Sequence, residues 1–175
     1  MGGKLLMSSA RADPAESTIE QMAAEVVSSG AKRVACISTP SIFFALPKEL
    51  RETSFVLDFD RQWEAKCPGF VFYDFNEPEA VPEELKGTCD YLVVDPPFVT
   101  REVWEKYAAT VKLLAAPGAK FLLSSIHENS DMLRELLGVE PQVFQPSIPN
   151  LIYQYDVYAN YETKEMGQRN PEIPE

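Results

Sequence analysis

Tyr91-Leu92-Val93-Val94-Asp95-Pro96-Pro97-Phe98 is the stretch on which the reading of this chain turns. A short apolar run with turn signals behind it reads as a strand buried on both faces, as in a parallel sheet. The strand ends on an acid, turns on two prolines and presents an aromatic ring. Proline fixes φ. The carboxylate of Asp95 and the carbonyl oxygen of Pro96 are therefore acceptors that need little reorganisation. Two acceptors beside an apolar wall, Phe98, suit a flat or extended amine.

Strand and helix signals alternate on either side of this stretch. Ser17 and Glu20 have the spacing of a capping box. Ile19, Met22, Ala23, Val26 and Val27 follow at helical spacing, and Gly30 supplies a stop. This predicts a helix over 18–29. Residues 33–38 read as the first strand, ending at Thr39-Pro40-Ser41, with a short helix over 41–51. Residues 54–60 and 69–73 are the second and third strands, the latter ending at Asp74. Residues 78–85 form a loop or short helix. Thr100 caps a helix running to about Leu114, with Val103, Tyr107, Val111 and Leu114 on one face. Pro117-Gly118 turns the chain into a fifth strand over 120–124, and a helix from Asn129 or Ser130 stops at Gly138. Residues 142–145 and 152–161 suit a terminal antiparallel pair. The order predicts an α/β fold with a mostly parallel sheet, helices on both faces and a C-terminal antiparallel hairpin. Ligands of such sheets bind beyond the carboxyl ends of the strands. Asp58, Asp60, Asp74 and Asp95 all fall there.

The chain has 175 residues, 45% of them hydrophobic, enough for one domain with a full core. The expected limits are one folded domain over 16–162, a disordered or truncated segment over 1–15 and a polar tail over 163–175. No apolar run approaches the ~18 residues of a membrane span. Met1–Met7 lacks the apolar stretch of a signal peptide, and Leu6 stands where myristoylation needs Ser or Thr. Cys36, Cys67 and Cys89 read as reduced thiols, which suits the cytoplasm. His127 is the only histidine, so a histidine metal site or a Ser-His-Asp triad has little to build from. The net charge is −11, and no basic cluster is longer than Lys32-Arg33. That disfavours stable nucleic-acid binding and favours a basic partner. A monomer is the expected state.

Asp95-Pro96-Pro97-Phe98 resembles the [DN]-P-P-[FYW] motif of amino-methyltransferases that use S-adenosylmethionine. Val34–Ser41, Leu57–Arg61, Phe70–Pro78 and Asn150–Tyr161 accompany it in one order and spacing. Together they resemble the eukaryotic elongation factor 1A lysine methyltransferases, a group also described as N6-adenine methyltransferase-like. The resemblance spans about residues 16–162. It implies a seven-stranded Rossmann-like methyltransferase fold, S-adenosylmethionine as donor and a lysine of elongation factor 1A as acceptor. Asp95, Pro96, Pro97 and Phe98 would form the amine site. Asp58 or Asp60 would accept the ribose hydroxyls; strand alternation puts both on one face and does not separate them. Asp74 would accept the adenine amino group, with Phe75 packed on the ring. The loop after the first strand, Ser38-Thr39-Pro40-Ser41, has no glycine, as in this family. Backbone N–H groups and hydroxyls would replace the usual glycine contacts. Residues 8–15 stand where the family carries a Trp- and Phe-rich segment. An adenine N6-methyltransferase of RNA or DNA and a non-catalytic scaffold are the rival readings. Arg61 reads as a surface ion pair and His127 as an ordinary loop histidine.

Overall fold

The computed structural model describes residues 14–174. The strands are β1 (Val34–Ile37), β2 (Phe55–Asp58), β3 (Phe70–Phe72), β4 (Cys89–Val94), β5 (Ala115–Ile126), β6 (Glu140–Pro141) and β7 (Tyr155–Ala159). They form one seven-stranded sheet in the order β3-β2-β1-β4-β5-β7-β6. The first five run parallel, and β7 lies antiparallel between β5 and β6. The helices are α1 (Glu16–Ser28), α2 (Pro40–Ala45), α3 (Lys48–Glu52), α4 (Arg101–Leu114) and α5 (Ser130–Leu137).

The central strands are apolar throughout Val34–Ile37 and Tyr91–Val94 because both faces are covered there. Val34, Cys36, Tyr91 and Val93 point one way, onto Met22 and Val26 of α1 and Phe43 of α2. Ala35, Ile37, Leu92 and Val94 point the other way, onto Trp104, Tyr107 and Val111 of α4 and Leu133 of α5. Thr100 caps α4 by accepting the Val103 N–H at 3.4 Å. Gly138, at φ 65°, ends α5 in the left-handed region that glycine enters without strain.

Several elements differ from the sequence expectation. α1 begins behind Ala15 with no side-chain cap, so Ser17 and Glu20 do not form a capping box. Thr18 instead accepts the Ser147 N–H at 2.9 Å, tying the helix to the segment before β7. The expected helix over 41–51 is split. Proline disfavours helical backbone in the residue before it, and Leu46, before Pro47, is extended at ψ 150°. β2 stops at Asp58, short of Asp60. β5 begins earlier than expected, with Ala115 beside Cys89 and a register shift before Lys120 meets Tyr91. The partner of β7 is Glu140–Pro141, extended by the Gln142 N–H to the Val157 carbonyl at 2.7 Å, rather than residues 142–145. The segment over 1–15 falls largely outside the described residues. Among those described, no helix is long and apolar enough to cross a membrane.

The polar tail is docked. Met166 is fully buried and Asn170 is 3% exposed. The anchor is Glu25 of α1, which is also fully buried. Its carboxylate accepts the Tyr161 hydroxyl at 2.6 Å, the Glu165 N–H at 2.6 Å and the Lys164 N–H at 3.1 Å. The Tyr161 oxygen in turn meets the Tyr91 hydroxyl of β4 at 2.6 Å. Burial, then the Glu25 carboxylate, hold the Tyr161 hydroxyl well above the usual tyrosine range. Asn160 accepts the Phe121 N–H at 2.7 Å and donates to the Ala119 carbonyl at 3.0 Å, holding the start of the parallel part of β5. A buried carboxylate that loses a donor is costly, by about 1.5–3 kcal/mol for a charged hydrogen bond. Tyr161→Phe should therefore lower the unfolding free energy by about that amount, read in chemical unfolding as a lower denaturant midpoint at unchanged slope.

Candidate functional site

A cavity of about 720 Å³ opens at the carboxyl edge of the parallel strands. Its floor is made by the loops after β1 and β2, with Asp95 and Pro97 after β4 and Ser124 near the end of β5. Ile19 and Met22 of α1 form its roof.

The β1 loop supplies Ser38, Thr39, Pro40 and Ser41, all of which line the cavity. Ser38 sits at φ 58°. A serine there adopts the conformation that glycine usually provides, at a cost of about 1–2 kcal/mol. Two contacts hold it: its N–H donates to the Leu57 carbonyl at 2.8 Å, and its hydroxyl meets the Tyr107 hydroxyl of α4 at 2.8 Å. The Gly-free loop thus keeps a glycine-like turn. Next to it the Thr39 hydroxyl is buried, with no oxygen or nitrogen partner and only the weakly bonding Cys36 thiol beside it. It is a donor and acceptor at the cavity wall with unused capacity.

Asp58 and Asp60 both line the cavity, but by a different route from strand alternation. The chain turns after Asp58, whose Oδ1 accepts the Asp60 N–H at 2.8 Å. Asp60 then caps the short 3-10 turn at Arg61–Trp63 by accepting the Gln62 N–H at 3.0 Å. Phe59, 41% exposed, and Trp63 are the cavity's aromatic residues. Sequence reasoning missed both. The available signals were an aromatic directly after a strand-end acid and a lone tryptophan in a polar run. Arg61 does pair with Glu64, at 3.7 Å with both side chains exposed, which is worth little. It also covers the Phe72 ring at 4.1 Å and borders the cavity.

Asp95 is 7% exposed. Its N–H donates to the Ile37 carbonyl at 3.3 Å, the last rung between β4 and β1, which brings the residue to the cavity wall. Pro97 reaches the same wall, Pro96 is buried behind it, and Phe98 is outside the lining. The Phe98 ring packs edge-on against Phe75 at 6.3 Å. Phe75 and Asp74 are also outside the lining. After β3 the chain turns Tyr73 and Phe75 into the α4 core, where Phe75 is fully buried, 5.9 Å from Tyr107. Asp74 closes a local turn by accepting the Asn76 N–H at 2.9 Å. Asp74 and Phe75, the residues expected at the adenine, thus stand outside the lining of this cavity, Phe75 being packed in the core.

His127 also lies outside the cavity lining. Its Nδ1 meets Asp156 Oδ2 at 2.5 Å. This hydrogen bond, then the Asp156 charge, raise the His127 pKa above the ordinary value. No cluster of metal-ligating side chains occurs among the described residues.

The sequence family described as "Probable N6-adenine methyltransferase" matches residues 15–163. The chain belongs to this family. Among its relatives is a protein-lysine N-methyltransferase of Dictyostelium discoideum, 36% identical over 148 residues, 81% of this chain and 69% of that one. EEF1A lysine methyltransferase 1 of Homo sapiens is 30% identical, covering 85% of this chain and 71% of that one. The Danio rerio protein of the same name is 32% identical, covering 85% and 94%. The fold is that of the S-adenosylmethionine-dependent methyltransferases. The 1,6-didemethyltoxoflavin-N1-methyltransferase of Burkholderia thailandensis, solved with S-adenosylhomocysteine, superposes with a TM-score of 0.58 at 14% identity, over 83% of this chain and 78% of that one. The O-methyltransferase TomG of Streptomyces achromogenes gives 0.57 at 14% identity, over 84% and 80%.

Three measurements check the local physics of this family member. Ser38→Gly trades the Tyr107 hydrogen bond for relief of strain and should change stability by less than about 1 kcal/mol. Ser38→Val keeps the strain, adds a β-branch and loses the bond, so it should cost about 2 kcal/mol or more in denaturant unfolding. His127, being the only histidine, gives a single histidine Hε1 resonance, and its titration midpoint should lie above the reference of about 6.5. A raised folded-state pKa stabilises the fold fully below the unfolded value and loses that contribution as pH rises through the folded one. Relative to His127→Gln, the wild type should therefore lose thermal stability as pH climbs above about 6.5.

Proposed function

We propose that this chain is an S-adenosylmethionine-dependent protein-lysine N-methyltransferase acting on translation elongation factor 1A. The observation that carries the reading is the placement of the Asp95-Pro96-Pro97 turn on one cavity with Asp58 and Asp60, in a chain whose named relatives are protein-lysine N-methyltransferases. S-adenosylmethionine, when bound, supplies an electrophilic methyl group. The cavity suits it chemically: two carboxylates for the ribose hydroxyls, Phe59 and Trp63 for a flat apolar ring, and the Thr39 hydroxyl with unused bonding capacity. Ser38, Pro40 and Ser41 complete the loop that would hold the remainder.

The acceptor lysine has an ordinary pKa of about 10.4 and is mostly charged at neutral pH. A neighbouring carboxylate favours the charged form further, so Asp95 does not activate the amine by charge. It orients the nitrogen with the Pro96 carbonyl once the proton has left to water. The catalytic contribution is positioning and exclusion of solvent. Pro96 and Pro97 stiffen this turn, and Phe98 backs it against the core. The buried free thiols of Cys36, Cys67 and Cys89 suit a reducing cytoplasmic setting. The acidic chain suits a basic protein partner rather than a phosphate backbone.

Labelled S-adenosylmethionine offered with purified elongation factor 1A and with an adenine-bearing RNA, side by side, should label the protein. Faster labelling of the RNA would replace this reading with adenine methylation. No cofactor binding by calorimetry would leave a scaffold. Asp95→Ala should lower turnover by at least about tenfold while cofactor affinity stays within about twofold. Asp58→Ala should do the reverse, weakening cofactor binding. Association with the protein substrate should weaken as salt rises, since the attraction is screened over about 8–10 Å near physiological ionic strength.

A further inference from the structure

The residues between β6 and β7 present three consecutive apolar side chains to solvent. Leu151 is 38% exposed, Ile152 94% and Tyr153 68%. Exposed apolar clusters of this kind mark interaction sites more often than chance, and tyrosine is favoured in them.

The base of this loop is built. Ser147 accepts the Ala15 N–H at 2.8 Å and donates its own N–H to Thr18 at 2.9 Å. Asp156, 3% exposed, clamps both sides: Oδ1 accepts Gln145 Nε2 at 2.9 Å and Oδ2 meets His127 Nδ1 at 2.5 Å. Asn150 takes a left-handed turn at φ 64°, and the Leu151 N–H closes onto the Ile148 carbonyl at 3.3 Å. A loop held at its base while its tip shows apolar groups is arranged for contact, not for core packing.

Its position supplies the occupant. Ile126, at the carboxyl end of β5, pairs with Tyr155, so the loop rises at the same sheet edge as the cavity. A short relay joins it to the amine turn. Asn129 donates to the Val99 carbonyl at 2.8 Å, one residue past Phe98, and the His127 N–H reaches the Gln154 carbonyl at 3.4 Å. Along the edge the order is Asp58 on β2, Ser38 after β1, Asp95 after β4, then this loop beside β5 and β7. Neither segment 124–133 nor segment 142–157 contains a lysine or arginine. Glu16 and Glu128, exposed on either side, make no ion pair with a described residue. The rim is therefore apolar at its tip, with Glu16 and Glu128 at its flanks and the exposed His127 imidazole taken up by Asp156.

We infer that Leu151-Ile152-Tyr153 is the docking surface for the protein substrate, seating an apolar patch beside the acceptor lysine while the acidic flanks meet surrounding basic residues. This rests on the lysine-methyltransferase reading above. The occupant is a folded basic protein, since the contact lies outside the cavity that would take the side chain itself.

The test uses the full chain with Ile152→Ser and Tyr153→Ser together, against elongation factor 1A. The expected result is a KM for the protein raised about tenfold or more, as for loss of an aromatic anchor, with kcat and cofactor affinity within about twofold. Tyr153→Phe with Ile152→Leu should restore the KM, which a fold defect would not allow. A photo-crosslinking residue at 153 should capture elongation factor 1A without turnover. An active wild type whose KM is unchanged in the double variant overturns the docking surface alone. A wild type that methylates no protein lysine brings down the functional reading and this inference together.

Discussion

The central strands Val34–Ile37 and Cys89–Val94 must be covered on both faces, and the rest of the molecule answers that demand. Apolar side chains alternate up and down along them, so one layer of helices cannot suffice. α1 and α2 cover one side, α4 and α5 the other. Covering the α1 side brings Glu25 into the interior, where hydrogen bonds meet its carboxylate. Tyr161 and the backbone of residues 164–165 converge on it. The Asn160-Tyr161 pair thus acts as a clasp, holding β5 with one side chain and α1 with the other.

The same two strands create the site. They end together, joined by the Asp95-to-Ile37 rung. Beyond that rung neither β1 nor β4 continues, so their loops diverge and leave a cavity. Each loop solves its local problem differently. After β1, Ser38 takes a left-handed turn and anchors its hydroxyl on Tyr107 of the opposite layer. After β4, two prolines hold the turn. After β2, Asp58 and Asp60 cap successive turns, so the carboxylates that face the cavity also shape its wall.

Asp58, Asp60 and Asp95 are legible in the sequence because a strand end followed by an acid is a local pattern. Asp74 and Phe75 carry the same local pattern and stand outside the lining of this cavity. Phe75 is drawn into the core beneath α4 by Tyr107 and Phe98, neighbours far away in sequence. Phe59 and Trp63 went the other way: the turn after Asp58 brought two aromatics to the cavity wall that alternation gave no reason to choose.

What the sequence by itself determined is the alternation of elements, the parallel core strands and the proline-stiffened acid turn. Those are properties of near neighbours: apolar period, fixed φ and capping chemistry. Thr100 and Gly138 fall where their chemistry places them. The tertiary structure alone decided which strand-end residues share a cavity, why Ser38 tolerates a glycine conformation, why Ser17 and Glu20 fail to cap α1, and where the Asn160-Tyr161 pair is spent. Each depends on a partner far along the chain, such as Tyr107 for Ser38, Ser147 for Thr18 and Glu25 for Tyr161. Local periodicity contains no term for such partners, because contact between them exists only after the layers have packed.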